Sequence, residues 1–187
     1  MRLSHVPWLL LILSATRGTL LSSSTNRTID DSLGDSVTGA KVQYLPAVPP
    51  SDGRLWFNQT SCAAGSCADA LPNAALALDN TWTAAMYLAD VSSMSINFQF
   101  SGTAIYVFFI IPNFAPASDP SSTVRCVFFI DGSQVGSFTH DSDGSGQFTY
   151  DELVYSNSSI TNGEHTLMIQ TTGSEPAMII FDYALYT

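Results

Sequence analysis

The chain has 187 residues, with 6 Lys+Arg against 16 Asp+Glu and a formal net charge of −10; 12% of residues are charged and 45% are hydrophobic. So few cations exclude an electrostatic nucleic-acid binder, which needs Lys and Arg to displace counterions from phosphates. The apolar fraction excludes a disordered chain, because it is ample for a core.

Met1-Arg2, the apolar run Val6–Leu13 (VPWLLLIL) and the small residues Ser14, Ala15 and Gly18 follow the order of a secretory signal peptide. The run is far shorter than the roughly 20 residues that cross a bilayer. The expectation is a signal at 1–18, cleaved between 18 and 24, then a polar segment at 19–27 and one domain over 28–187. Secretion agrees with three N-x-[ST] sequons at Asn26, Asn58 and Asn157, all in polar stretches between apolar runs. Cys62 and Cys67 lie five apart in CAAGSC, which reads as a small local disulfide in an oxidising compartment. Cys126, inside VRCVFFI, reads as a buried small hydrophobe.

Lys41–Tyr44 is a short predicted strand before a Pro-rich bend, residues 51–81 are loop-rich, and Ala74–Leu78 is a possible helical turn. From about residue 92 the pattern sharpens. Met94, Ile96, Phe98 and Phe100 alternate with polar residues, predicting a strand with one wet face. Ser101-Gly102 reads as a turn, and Thr103–Ile111 (TAIYVFFII), apolar on both faces and stopped by Pro112, as a central strand between two layers. Val124–Ile130, the turn Asp131-Gly132-Ser133 and Gln134–Phe138 form a hairpin. Phe148–Tyr155, His165–Gln170 after an Asn162-Gly163 turn, and Met178–Tyr186 complete the set. Many short strands with turn residues between them, and no long amphipathic helix, predict an all-β, antiparallel β-sandwich.

Ile29-Asp30-Asp31, Trp56, Thr81-Trp82, FSGTAIYVFFI (Phe100–Ile110), FIDG (Phe129–Gly132), NGEHTLMIQ (Asn162–Gln170) and FDY (Phe181–Tyr183) together resemble secreted or membrane-anchored proteins of mushroom-forming fungi. The resemblance spans nearly all of the expected mature chain and implies a galactose-binding-domain-like jelly roll. Thr83 stands where many members carry a His after the TW pair. Many members also continue into a Ser/Gly-rich stalk and a transmembrane helix; the sequence stops at Thr187, before any such segment, so no membrane anchor is expected in it. The shared motifs are framework motifs and speak to fold rather than activity.

Asp141–Glu152 (DSDGSGQFTYDE) has the residue types of a calcium loop, with Asp141, Asp143, Ser145 and Glu152 at ligand positions. The flanking strands are not the helices an EF-hand needs, so the alternatives are a calcium site in a β-loop or a solvated turn that uses Asp, Gly and Ser for its geometry. Asp182, an acid in an apolar strand, reads as a raised-pKa acid or as a hydrogen-bonded structural residue. His140 borders the acidic loop as a possible ligand, and His165 reads as structural. No nucleophile elbow, H-E-x-x-H or phosphate loop is present, so no enzyme is expected. Sugar binding needs an aromatic face with amides and carboxylates beside it. Trp56, Phe57, Trp82, Tyr87 and Phe114, with Asn58, Asp79 and Asn80 as polar neighbours, are the candidates, each aromatic having the alternative of a core plug. The functional expectation is a secreted, non-catalytic module binding cell-wall or cell-surface glycans, without a cofactor. The alternatives are an adhesive glycosylated wall protein without a small-ligand pocket, and a glycan-active hydrolase or lyase.

Overall fold

The computed structural model describes residues 25–47, 56–62, 71–88, 93–114, 123–171 and 173–187. The expected signal at 1–18, its cleavage window, Cys67 and the Pro49-Pro50 pair lie outside them. In chain order the elements are β1 (Arg27–Asp30), β2 (Gly34–Asp35), β3 (Gln43–Leu45), β4 (Phe57–Asn58), the one-turn α1 (Gln59–Cys62), and two 3-10 turns at Ala74–Leu76 and Leu78–Asn80. Then follow β5 (Thr83–Tyr87), β6 (Met94–Gly102), β7 (Ile105–Pro112), β8 (Val124–Ile130), β9 (Ser133–His140), β10 (Phe148–Asn157), β11 (Gly163–Thr171) and β12 (Ala177–Tyr186).

The protein is an antiparallel β-sandwich. One sheet runs β10-β7-β12-β1-β2, with β5 also on β12 and β4 on β5; the other runs β3-β6-β11-β8-β9. Alternation explains the layering: Ile96, Phe98 and Phe100 of β6, Cys126 and Phe128 of β8, and Leu167 and Ile169 of β11 face Val107 and Phe109 of β7 in one buried cluster. Each such side chain taken from water contributes about 1.5–3 kcal/mol. The expected turn at Ser101-Gly102 falls two residues later: β6 runs through Gly102, and at Thr103-Ala104 the chain crosses from one sheet to the other. Gly102 permits this because a Cβ there would strike the carbonyl of Thr187.

The apolar second face of β7 has a physical reason. Ile110 of β7 and Met178 and Ile180 of β12 pack outward against Trp82 and Cys62, with Phe57, Leu71 and Ala77 beside them. The segments at 57–62 and 71–82 thus form a cover over the outer face of this sheet, and the loop-rich reading of 51–81 missed β4 and α1 within it. β12 is also irregular. Ile179 and Phe181 point into the sandwich, as do Ala184 and Tyr186, so the alternation slips between them. A register shift against β7 falls between Phe181 and Tyr183 and puts Asp182 in a bulge.

Candidate functional site

The sandwich has a seam at that bulge. Along one edge β12 pairs β5 through residues 177–181 and β1 through residues 183–186, so Asp182 sits where the partner changes. Its backbone carbonyl accepts the N–H of Asp31 at 3.0 Å, tying the end of β1 to the seam. Hydroxyls hold the rest. Thr81 Oγ1 lies 2.6 Å from Asp31 Oδ1 and 3.1 Å from both oxygens of Asp30, and Thr83 Oγ1 and Ser32 Oγ donate to Asp31 Oδ2. Asp30 Oδ1 also accepts the N–H groups of Ser32 and Leu33, closing the turn into β2. Asp30 and Asp31 are both buried. Burial raises the Asp31 pKa above its ordinary value against the three hydroxyl donors, and the Asp30 carboxylate adds to the rise.

Asp182 is sealed below this seam. Its side chain is fully buried; Oδ1 accepts the N–H of Leu78 at 3.0 Å, while Oδ2 has no partner. Burial, reinforced by the carboxylates of Asp31, Asp151 and Asp30, pushes its pKa up to about 7, the Leu78 N–H acting in the opposite sense. Both readings of Asp182 hold in part: it is a perturbed acid, and it anchors the 3-10 turn above it. It does not line the cleft described next.

Where the seam meets β3, the edge strand of the second sheet, an open cleft of about 380 Å³ forms, lined by Asp31, Lys41, Tyr44, Trp56, Asn58 and Thr83 among others. The volume lies at the lower end of small-ligand sites, about 300–1,000 Å³. Its aromatic wall is fixed in place. The Tyr44 and Trp56 ring centroids are 4.9 Å apart at 49°. Tyr44 OH donates to the Asp31 carbonyl at 2.9 Å, and Trp56 Nε1 donates to the Leu45 carbonyl at 3.2 Å. Trp56 remains half-buried, with the rest of its ring packed on core residues. Lys41 Nζ donates to the carbonyls of Ser32 and Leu33, holding the β1–β2 turn at the rim. Such a wall can take the C–H face of a small polar ring, with Asn58 and Lys41 as donors beside it.

The structure separates the candidates chosen from sequence. Trp56 and its neighbours Phe57 and Asn58 line the cleft. Trp82 is 1% exposed, edge-on to Phe57 with centroids 6.2 Å apart, so it is a core plug and offers no face to a ligand. Tyr87 is 2% exposed and donates its OH to the Gly173 carbonyl, again a core residue. Asp79 and Asn80 are exposed in the 3-10 turn with φ of 50° and 63°; their role there is left-handed turn geometry. Sequence reasoning missed Tyr44, Asp31, Lys41 and Thr83. The sequence places Tyr44 on a strand, and nothing local says that its edge meets Trp56.

The calcium-loop residues do not converge. Asp141 pairs with Arg125 at 3.4 Å, Asp143 Oδ1 accepts the N–H of Ser145 at 2.8 Å, and Glu152 lies well inside β10. Buried Asn113 organises the loop instead: its Oδ1 accepts the Asp143 N–H and lies 2.8 Å from His140 Nε2, and its backbone carbonyl accepts the Gly146 N–H. Among the described residues no group of three or more His, Cys, Asp or Glu side chains could hold a metal ion. His165, read as structural, bonds Asp131 Oδ2 and the Thr161 carbonyl, both at 2.7 Å. Cys62 is buried, and its expected partner Cys67 falls outside the described residues. Among the described residues no helix is long and apolar enough to cross a membrane.

No protein-family model and no curated protein matches the chain. Among solved structures it is similar to a family 35 carbohydrate-binding module from Clostridium thermocellum, at 8% identity and a TM-score of 0.50, over 88% of this chain and 99% of that one. Two enzymes match more loosely. One is an exo-β-1,3-galactanase from Phanerochaete chrysosporium, at 10% identity and 0.48, over 88% of this chain and 30% of that one. The other is a Paenibacillus cycloisomaltooligosaccharide glucanotransferase, at 16% and 0.37, over 50% of this chain and 13% of that one. The chain thus spans less than a third of either enzyme. At these identities the similarity speaks to fold alone, and the fold is one that carbohydrate-binding modules use.

Proposed function

We propose that the protein is a secreted, non-catalytic module that binds cell-wall or cell-surface glycans through the Trp56–Tyr44 cleft. The observation that carries the reading is the cleft itself: a half-buried tryptophan, locked through Nε1 and flanked by Tyr44, beside Asn58 and Lys41. Rigid aromatic walls suit sugar rings, because little conformational freedom is lost when the ring lands. Of the buried carboxylates at the seam only Asp31 reaches the cleft, and its oxygens already accept from Thr81, Thr83 and Ser32. That favours binding over the two-carboxylate chemistry of glycoside hydrolysis.

Retention on insoluble polysaccharides and a glycan array, run with wild type and Trp56→Ala both produced without N-glycans, test the reading. Expected is retention that Trp56→Ala weakens at least tenfold. Because Trp56 also touches the core, the indole N–H resonances serve as an internal control: sugar shifts that of Trp56 and leaves that of Trp82. Binding that moves neither, or no binding to any glycan, would favour an adhesive wall protein without a ligand pocket.

A further inference from the structure

Asn58 both lines the cleft and opens the sequon Asn58-Gln59-Thr60. It lies in β4, two residues after Trp56, and both residues line the cleft. Its Oδ1 accepts the N–H groups of Thr60 at 3.0 Å and Ser61 at 2.9 Å, and its own N–H donates to Ser61 Oγ, so the carbonyl caps α1. That leaves Nδ2 as the side-chain atom not engaged by the cap. N-glycosylation uses this nitrogen and keeps the carbonyl, so a sugar on Asn58 leaves the cap intact.

The other sequons differ. Asn26 is exposed ahead of β1 with no aromatic residue two positions earlier. Asn157 does follow an aromatic by two, but the Tyr155 ring stacks on Phe128 at 4.7 Å and packs against the main core. Of the three, only Asn58 lines a cleft that has an aromatic wall.

We propose that Asn58 is N-glycosylated and that the cleft cradles the protein's own glycan, with the first N-acetylglucosamine lying on the Trp56 ring. The proposal rests on the secretory part of the reading above. In the transfer, Asn58 Nδ2 attacks C1 of an oligosaccharide carried on a lipid pyrophosphate. The C1–N bond forms as the C1–O bond to pyrophosphate breaks; the lipid pyrophosphate leaves with the electron pair and the Nδ2 proton passes to a base. Stacking that would hold a free monosaccharide poorly is sufficient here, because the tether gives an effective concentration of about millimolar or more. The same tether makes the glycan a competitor for the cleft, so glycosylation at Asn58 masks it from free polysaccharide.

The test uses protein secreted from a eukaryotic host, trimmed to a single N-acetylglucosamine per site, against Asn58→Asp, which keeps the capping oxygen. Expected are an occupied Asn58 by glycopeptide mass spectrometry and nuclear Overhauser contacts between that sugar and the Trp56 indole. The melting temperature should lie about 2–4 °C above that of Asn58→Asp, a gap that closes in Trp56→Leu. An Asn58 left bare while Asn26 and Asn157 are occupied, or a sugar with no contact to Trp56, overturns the proposal and leaves the secretory reading standing. A chain that is not secreted and carries no glycan at any sequon overturns both.

Discussion

Asp182→Asn isolates the energetic cost of the seam. The wild-type carboxyl titrates near 3.8 when unfolded and at about 7 in the fold, chiefly because it is buried. Between those values the folded state holds a proton that the unfolded state has released, so this group makes stability fall as pH rises through that window. From pH 5 to the folded value is about two pH units at about 1.4 kcal/mol each, and allowing for solvent relaxation the loss is about 2 kcal/mol. For a domain of this size that is a melting-temperature change of roughly 4–8 °C. Asparagine keeps an oxygen for the Leu78 N–H and carries no charge, so the variant lacks this term. The assay is thermal unfolding of both proteins at half-unit steps from pH 5 to 8. The melting temperature of the variant minus that of wild type should rise by that amount across the range. The His165 contribution is common to both and cancels. Parallel profiles would refute the argument, since they would mean that Asp182 titrates alike in both states.

Other consequences follow from the same packing. The Asp131 hydrogen bond raises the His165 pKa above 6.5, so an NMR titration should give a midpoint above that value, lowered by Asp131→Asn. The His165 stabilisation is complete below 6.5 and lost as pH rises through the folded value, while the Thr166 N–H bond to the Asp131 carboxylate remains, so the variant should lose more stability at pH 6 than at pH 9. Burial pushes the Cys126 thiol up to about 12, so at pH 8 it should resist a thiol reagent until denaturant is added; fast native labelling would contradict its placement. Trp82→Ala should cost about 3–5 kcal/mol in urea unfolding, because the ring fills the cover over β7 and β12.

Much of the sandwich could be read from sequence because strand alternation is a local signal. The strands from β6 to β12 show it, or show the two-faced apolar run of a covered strand, as β7 does. β5 gave no such signal: TAAMY is small and buried on both faces, since the cover and the sandwich enclose it. β1, β2 and β4 are two to four residues long, below the length at which a period can be recognised. The site was less legible because it is assembled from distant segments. Trp56 and Trp82 each sit beside a polar stretch, and only the fold of the cover tells that one ring lines a cleft while the other lies beneath it. Asp182 could be singled out as an acid among apolar residues. That it occupies a bulge where β12 exchanges β5 for β1 is a fact of register, invisible without the partner strands.

The most direct measurement of the central claim is the affinity of Thr60→Ala protein, which loses the sequon but keeps Asn58, for the polysaccharide retained best, measured by titration calorimetry with and without Trp56→Ala. The account predicts saturable binding, at least tenfold weaker with Trp56→Ala, about 1.4 kcal/mol. An affinity unchanged by loss of the Trp56 ring, in protein that remains folded, would contradict it.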